Sequence, residues 1–309
     1  MNKQIAALIN NIEKVIVGKR EPITKVVCAM LAEGHILIED VPGVGKTRLV
    51  ASLASSVEGA FNRIQLTPDI MPSDIVGFSM IDPKTRELEY KAGAAMCNFL
   101  LADEINRASP KSQSSLLEVM EEHQISLDGN TMPLPTPFMV LATQNPVETY
   151  GTYHLPEAQM DRFIMKISMG YPSPEEELDI ITRSENPQFT EKLPAVMTLD
   201  ELNSHIEKVK TVRCTDSVKQ YIVSLLNASR MSDLVKLGAS PRAGIALLKA
   251  AKAYAYVNDR DYVVPDDVKA VMSAVLSHRL MLSPKGKSAF PDAEAVMEQV
   301  AMTVPAPLK

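Results

Sequence analysis

His35-Ile36-Leu37-Ile38-Glu39-Asp40-Val41-Pro42-Gly43-Val44-Gly45-Lys46-Thr47 runs from an apolar stretch through a Pro/Gly turn into a segment with helical spacing. A short apolar run that ends in such a turn reads as a buried strand. Strand, glycine turn, Gly-Lys-Thr and helix together make the context of a phosphate-binding loop. Main-chain N–H groups from Gly43 to Thr47 are placed to hold phosphate oxygens, and the helix that opens near Lys46 adds its positive N-terminal dipole. Gly43 and Gly45 let the backbone come close to a ligand without a Cβ in the way. Lys46 is expected to reach the β- and γ-phosphates of a nucleoside triphosphate, and the Thr47 hydroxyl to bind Mg²⁺. Pro42, Val44 and Arg48 complete the expected cofactor-binding set. Asp40 stands where this loop usually has its first glycine. Because it lies before the amide nest, the exchange is expected to do little harm.

A second apolar run, Cys97–Ala102, ends in two acids, Asp103 and Glu104. A strand that is apolar throughout belongs at the centre of a parallel sheet. At its tip, beside the phosphate loop, Asp103 is placed for the metal and Glu104 for polarising an attacking water. Further strands are expected at Asn62–Leu66, Phe138–Thr143 and Phe163–Ile167, with helices at 3–17, 20–33, Lys46–Val57 and Lys111–Glu122. Strands alternating with helices predict an α/β fold around a doubly wound parallel sheet. From about Pro174 onward every segment reads as helix (174–184, 198–209, 215–230, 241–257, 265–278 and one near Ala293–Met302), and none as strand. The domains are therefore drawn as 1–170 and 171–309, the second a smaller all-α lid, with a loose end from Val304. Two segments exceed a plain α/β unit: 67–95, punctuated by Pro68, Pro72, Gly77 and Gly93, and 123–137. The latter reads as a hairpin of Gln124–Leu127 and Thr131–Leu134 around Asp128-Gly129-Asn130.

The 309 residues are 46% hydrophobic and 23% charged, enough for a core of ordinary size. Cys28, Cys97 and Cys214 are too few and too scattered for a disulfide framework or a zinc site, and suit a reducing, cytoplasmic setting. The five histidines show no i, i+4 metal pairing. No apolar run approaches the roughly 20 residues of a membrane span, and the start of the chain lacks a signal-peptide pattern. A net charge of −6 argues against a large nucleic-acid-binding face.

Beyond these local signals, Leu101-Ala102-Asp103-Glu104-Ile105-Asn106-Arg107-Ala108, with Pro110-Lys111 and Leu116–Glu122 after it, resembles the MoxR family of AAA+ ATPases. So do Thr67-Pro68-Asp69 with Pro72-Ser73-Asp74, Ala142-Thr143-Gln144-Asn145-Pro146, Gly151-Thr152-Tyr153, Leu155-Pro156-Glu157-Ala158-Gln159, Asp161-Arg162-Phe163 and Ser240-Pro241-Arg242-Ala243. The likeness runs from about Ile16-Val17-Gly18 to His278-Arg279. The chain departs from the family pattern at His154, usually proline, and at Gly93-Ala94-Ala95, usually a Gly-Pro pair.

The resemblance implies roles for further residues. Asn145, closing a strand between the two that carry the loop and the acids, is similar to the sensor that contacts the γ-phosphate. Arg162 is similar to the arginine finger supplied to a neighbouring subunit, and Arg242 to a second sensor that couples the lid to the γ-phosphate. Val17 and Gly18 are similar to the segment lining the adenine pocket. The two extra segments are similar to the helix-2 insert and pre-sensor-1 hairpin that face the pore of related rings. The implied protein is a ring, of six subunits, whose ATP hydrolysis remodels or matures client proteins, often ones with a von Willebrand factor A domain. The alternatives are a magnesium-chelatase-like or DNA-acting motor of the same branch, and a nucleotide-gated assembly switch without turnover.

Overall fold

Along strand β1 (His35–Glu39), Ile36 and Ile38 enter one apolar cluster and Leu37 the other, all fully buried. The period-2 alternation of a strand thus meets a core on both faces. The computed structural model describes residues 1–145, 153, 155–185 and 193–307. The strands after β1 are β2 (Phe61–Gln65), β3 (Gly77–Ile81), β4 (Leu88–Ala92), β5 (Phe99–Asp103), β6 (Gln124–Leu127), β7 (Asn130–Pro133), β8 (Met139–Gln144) and β9 (Phe163–Ile167). Five of them form one sheet in the order β2-β5-β8-β1-β9, every pair parallel. Phe99 and Leu101 of β5, and Met139 and Leu141 of β8, face the same side as Ile36. Leu100, Ala102, Val140 and Ala142 face the other. Helices Lys3–Glu13, Arg20–Leu31 and Lys46–Ser56 cover the first face and Pro110–Glu122 the second.

Four helices begin with the same dipeptide: Ser109-Pro110, Ser173-Pro174, Ser240-Pro241 and Ser283-Pro284. In each, the serine side chain accepts an N–H of the first turn. The hydroxyl satisfies an otherwise orphaned donor, and proline takes the first helical position, where its missing N–H costs nothing.

After β9 the chain is mostly helical, and its apolar residues do not form a separate core. Leu202, Ile206, Leu247, Ala250 and Val271 belong to the same cluster as Ile23, Val26 and Ile36. One expectation fails here. Strands β10 (Val235–Leu237) and β11 (Met281–Leu282) pair antiparallel in the region read as all helix. Segments of three and two residues are too short to show a period. Val304 and Ala306, expected to be loose, pack against the core.

Segment 67–95 contains a short helix, Pro72–Val76, and the β3–β4 hairpin. In the second extra segment β6 and β7 pair as expected, but the turn is only Asp128-Gly129, with φ of 51° and 79°. Two positive φ values suit a two-residue turn matched to the twist of the strands, so Asn130 joins the strand. Among the described residues no helix is long and apolar enough to cross a membrane.

Candidate functional site

A parallel sheet gathers the carboxyl ends of its strands at one edge, where open α/β folds bind ligands. That edge holds Asp40 after β1, Asp103 at the end of β5 and Asn145 after β8. Gly43 and Gly45 both have φ of +90°, which other residues reach only with strain. A Cβ built on Gly43 would meet nothing within 4 Å, and one on Gly45 only Ile16 at 3.9 Å, so both amides border open space.

That space is a cavity of about 570 Å³. It brings together the predicted residues Val17, Pro42, Gly43, Val44, Gly45, Lys46, Thr47, Arg48, Asp103, Glu104 and Asn145. Val15, Ile16, Pro172 and Ile180 give it an apolar end, suited to a flat heterocycle, and the loop with the two acids gives it a polar end. Burial pulls the Lys46 ammonium below the ordinary lysine range, against the opposing pull of Asp103, Asp40 and Glu104. Its Nζ donates to the Asp40 carbonyl at 2.9 Å.

The acid pair is held by residues that the sequence did not single out. Arg63 of β2 donates from Nη2 to Asp103 Oδ2 at 2.7 Å, and Thr143 of β8 from Oγ1 to Oδ1 at 2.6 Å. The same Thr143 oxygen accepts the Glu104 N–H at 2.9 Å, while Arg107 donates to Glu104 Oε2 at 3.0 Å. Glu104 itself is left-handed, at φ 57° and ψ 53°. Strain of this kind persists where neighbours hold it, and it clusters at working sites. Only the register shows Arg63, since Gln65 pairs with Asp103 across the two strands.

Asp40 makes contacts that a glycine there could not. It is buried, and its carboxylate accepts from Ser168 Oγ at 3.0 Å, from Gly170 N at 3.3 Å and from Met169 N. Gly18 does not line the cavity. Its φ is +71°, which a residue with a Cβ reaches only with strain, and the Glu176 carboxylate of the helix Pro174–Ser184 packs over it.

Arg162 and Arg242 lie elsewhere. Arg162 Nε donates to Glu121 Oε2 at 2.9 Å, and Arg242 Nη2 to Glu121 Oε1 at 3.0 Å. These two bonds hold the Glu121 carboxyl below its ordinary range, the Arg162 bond most of all. Arg242, expected to couple the lid to the γ-phosphate, lies beside Arg162 and outside the lining of the cavity. Arg162 precedes β9, and Glu121 lies in the last turn of the helix after β5, so both sit at the amino edge of the sheet. A five-residue strand separates that edge from the phosphate loop by roughly 16 Å. Arg279 joins the group, donating to Asp161 Oδ1 at 2.6 Å and to the Phe163 carbonyl at 2.6 Å. Of the motif residues with family-implied places, Pro146, Gly151, Thr152 and His154 lie outside the described residues.

Residues 35–165 match the profile of the ATPase family associated with various cellular activities, and residues 227–300 that of the AAA lid domain. The chain is 49% identical to the protein YeaC of Bacillus subtilis over 97% of this chain and 94% of that one. It is 42% identical to the chaperone MoxR1 of Mycobacterium tuberculosis, over 96% of this chain and 80% of the relative. The chain belongs to the MoxR family of AAA+ ATPases. A crystal structure from Cytophaga hutchinsonii, of a protein described as an ATPase, superposes on this MoxR-family chain with a TM-score of 0.92. It shares 38% identity, over 99% of this chain and 95% of that one. The α/β unit followed by a helical lid is thus the AAA+ arrangement, and the cavity lies at the carboxyl edge of its sheet.

Proposed function

We propose that the chain binds ATP in the 570 Å³ cavity and hydrolyses it, and that turnover drives remodelling of client proteins. One observation carries the reading. Two glycines at φ +90°, Lys46, Thr47, Asp103 and Glu104 border a single cavity that also has an apolar end. The purine lies against Val17 and the other apolar residues at that end, and the triphosphate against the amides from Gly43 to Thr47, flanked by Pro42 and Arg48. Lys46 leaves the Asp40 carbonyl for the β- and γ-phosphates. Glu104 accepts a proton from the attacking water, which Asn145 helps to orient.

The residues suit Mg²⁺. The Thr47 hydroxyl and Asp103 carboxylate are hard oxygen donors, and Asp103 already draws a positive partner, Arg63. Among the described residues no group of three or more His, Cys, Asp or Glu could hold a metal alone, so phosphates and water would complete the shell. When bound, the ion would neutralise charge on the β- and γ-oxygens.

Arg162 and Arg242 are too far from their own cavity and are assigned to the next subunit's, across the interfaces of a ring of six. Glu121 aligns both. The chain is divided near residue 170 into the α/β unit, 1–170, and the lid, 171–309. Segments 67–95 and 123–137 are assigned to partner engagement, and exposed Phe78, Ile81 and Leu88 at the first offer an apolar contact. A relative named a chaperone supports a client role, and the family resemblance points to von Willebrand factor A domain proteins in the cytoplasm. The test is binding and turnover of ATP with Mg²⁺ by the parent, Lys46→Ala and Glu104→Gln. Lys46→Ala is expected to lose binding. Glu104→Gln is expected to keep it while turnover falls by about 10² or more. Unchanged binding in Lys46→Ala refutes the reading.

A further inference from the structure

Asp40 holds two groups at once. Its main-chain oxygen takes the Lys46 ammonium at 2.9 Å. Its carboxylate takes Ser168 Oγ, Met169 N and Gly170 N, the first three residues beyond β9. A glycine could do the first but not the second. Asp40 is 7% exposed, and each of its carboxylate oxygens accepts from at least one of the three donors. Bonds from N–H to an ionised acceptor are among the stronger ones. From Gly170, at φ +61°, the chain passes Tyr171, whose carbonyl accepts Lys19 Nζ at 2.9 Å, and then Pro172. It enters the Pro174–Ser184 helix, and both Pro172 and Ile180 line the cavity. A single residue therefore joins the phosphate loop to the segment that leads into the helical region.

We propose that Asp40 is a positioning residue that transmits phosphate occupancy to the start of the lid. This rests on the ATP reading above. When a triphosphate draws Lys46 off the Asp40 carbonyl, the freed peptide readjusts. The side chain of the same residue carries that change to 168–170 and so to the wall formed by Pro172 and Ile180. Restoring the usual glycine should then harm the protein, because it leaves the amide nest intact but cuts the link.

The experiment uses the full chain, Asp40→Gly and the near-isosteric Asp40→Asn. It follows hydrogen exchange over 168–173 with and without a non-hydrolysable ATP analogue and Mg²⁺, together with kcat, KM and Tm. Asp40→Gly is expected to exchange about tenfold faster at Met169 and Gly170 without nucleotide, the scale of one lost charge-assisted bond. It is also expected to keep KM within about threefold, lose about tenfold in kcat and show no nucleotide-dependent change over 168–173. Asp40→Asn, which retains one acceptor oxygen, should fall between. Asp40→Gly with the parent's kcat and nucleotide response overturns the proposal, as does a loss of kcat that merely follows a fallen Tm. If Asp40→Gly does not fold, Asp40→Asn decides: a parent-like kcat and response overturns it. A parent that binds the analogue without change at 168–170 refutes this proposal alone, whereas a parent that binds no nucleotide refutes the ATP reading with it.

Discussion

Glu104 shows how much a single position depends on its neighbours. The sequence places it one residue past Asp103, but its left-handed backbone is held by the Thr143 hydroxyl and the Arg107 guanidinium. Left-handed backbone costs a residue with a Cβ about 1–2 kcal/mol. Thr143 carries both acids at once, donating to Asp103 and accepting from Glu104. Thr143→Val keeps the shape and removes both bonds. The expected result is a loss of about 1–3 kcal/mol in stability, read by denaturant unfolding, with ATP turnover falling more than nucleotide affinity. Equal turnover in parent and variant would show that the hydroxyl does not hold the acids in register. The acids were legible because they follow an apolar run directly. Thr143 and Arg63 were not, since each looks like an ordinary polar residue in a strand and acquires its partner only through pairing between strands.

At the scale of elements, β1 carries a second kind of information in His35. Its Nε2 donates to the Met120 carbonyl at 2.9 Å, and its Nδ1 accepts the Val140 N–H at 3.0 Å, so the neutral ring is fully used. Complete burial pushes its pKa down to about 4; the Met120 bond opposes this and His123, stacked at 5.6 Å, adds to it. The unfolded chain takes up a proton near the ordinary histidine value of about 6.5, and the folded chain not until about 4. Between those values the unfolded state binds more protons, so stability falls as pH drops through the window, by roughly 3 kcal/mol from this group. His278, partly buried and also held well below the ordinary value, acts with the same sign. Thermal unfolding from pH 7 to pH 4.5 should show Tm falling steeply in the parent and less so in His35→Gln. Parallel curves would exclude His35 as a source. That β1, β5 and β8 exist was legible from apolar runs, because burial on both faces leaves an unbroken signature, whereas β2 is an edge strand of mixed sequence. The β10–β11 ribbon was not, because so few residues carry no pattern.

Over the whole molecule, the sheet sorts residues to two opposite edges, with the phosphate loop and the acids at one and Arg162, Arg242 and Glu121 at the other. If those arginines serve a neighbour's cavity, Lys46→Ala and Arg162→Ala subunits, each inactive alone, should regain measurable turnover when mixed and allowed to exchange. An intact cavity then meets an intact arginine at some interfaces. A mixture as inactive as its components would mean that Arg162 does not act between subunits. The sequence by itself determined the glycine turn between β1 and the Lys46–Ser56 helix, the acid-tipped strand and the succession of most strands and helices, because each is written in neighbouring residues whose chemistry or period is local. Only the tertiary structure decided that Arg63 and Thr143 hold the acids, that Arg242 lies with Arg162 and away from its own cavity, and that Asp40 grips residues 168–170. Those relations join positions far apart in the chain, and strand order and register alone bring them within hydrogen-bond reach.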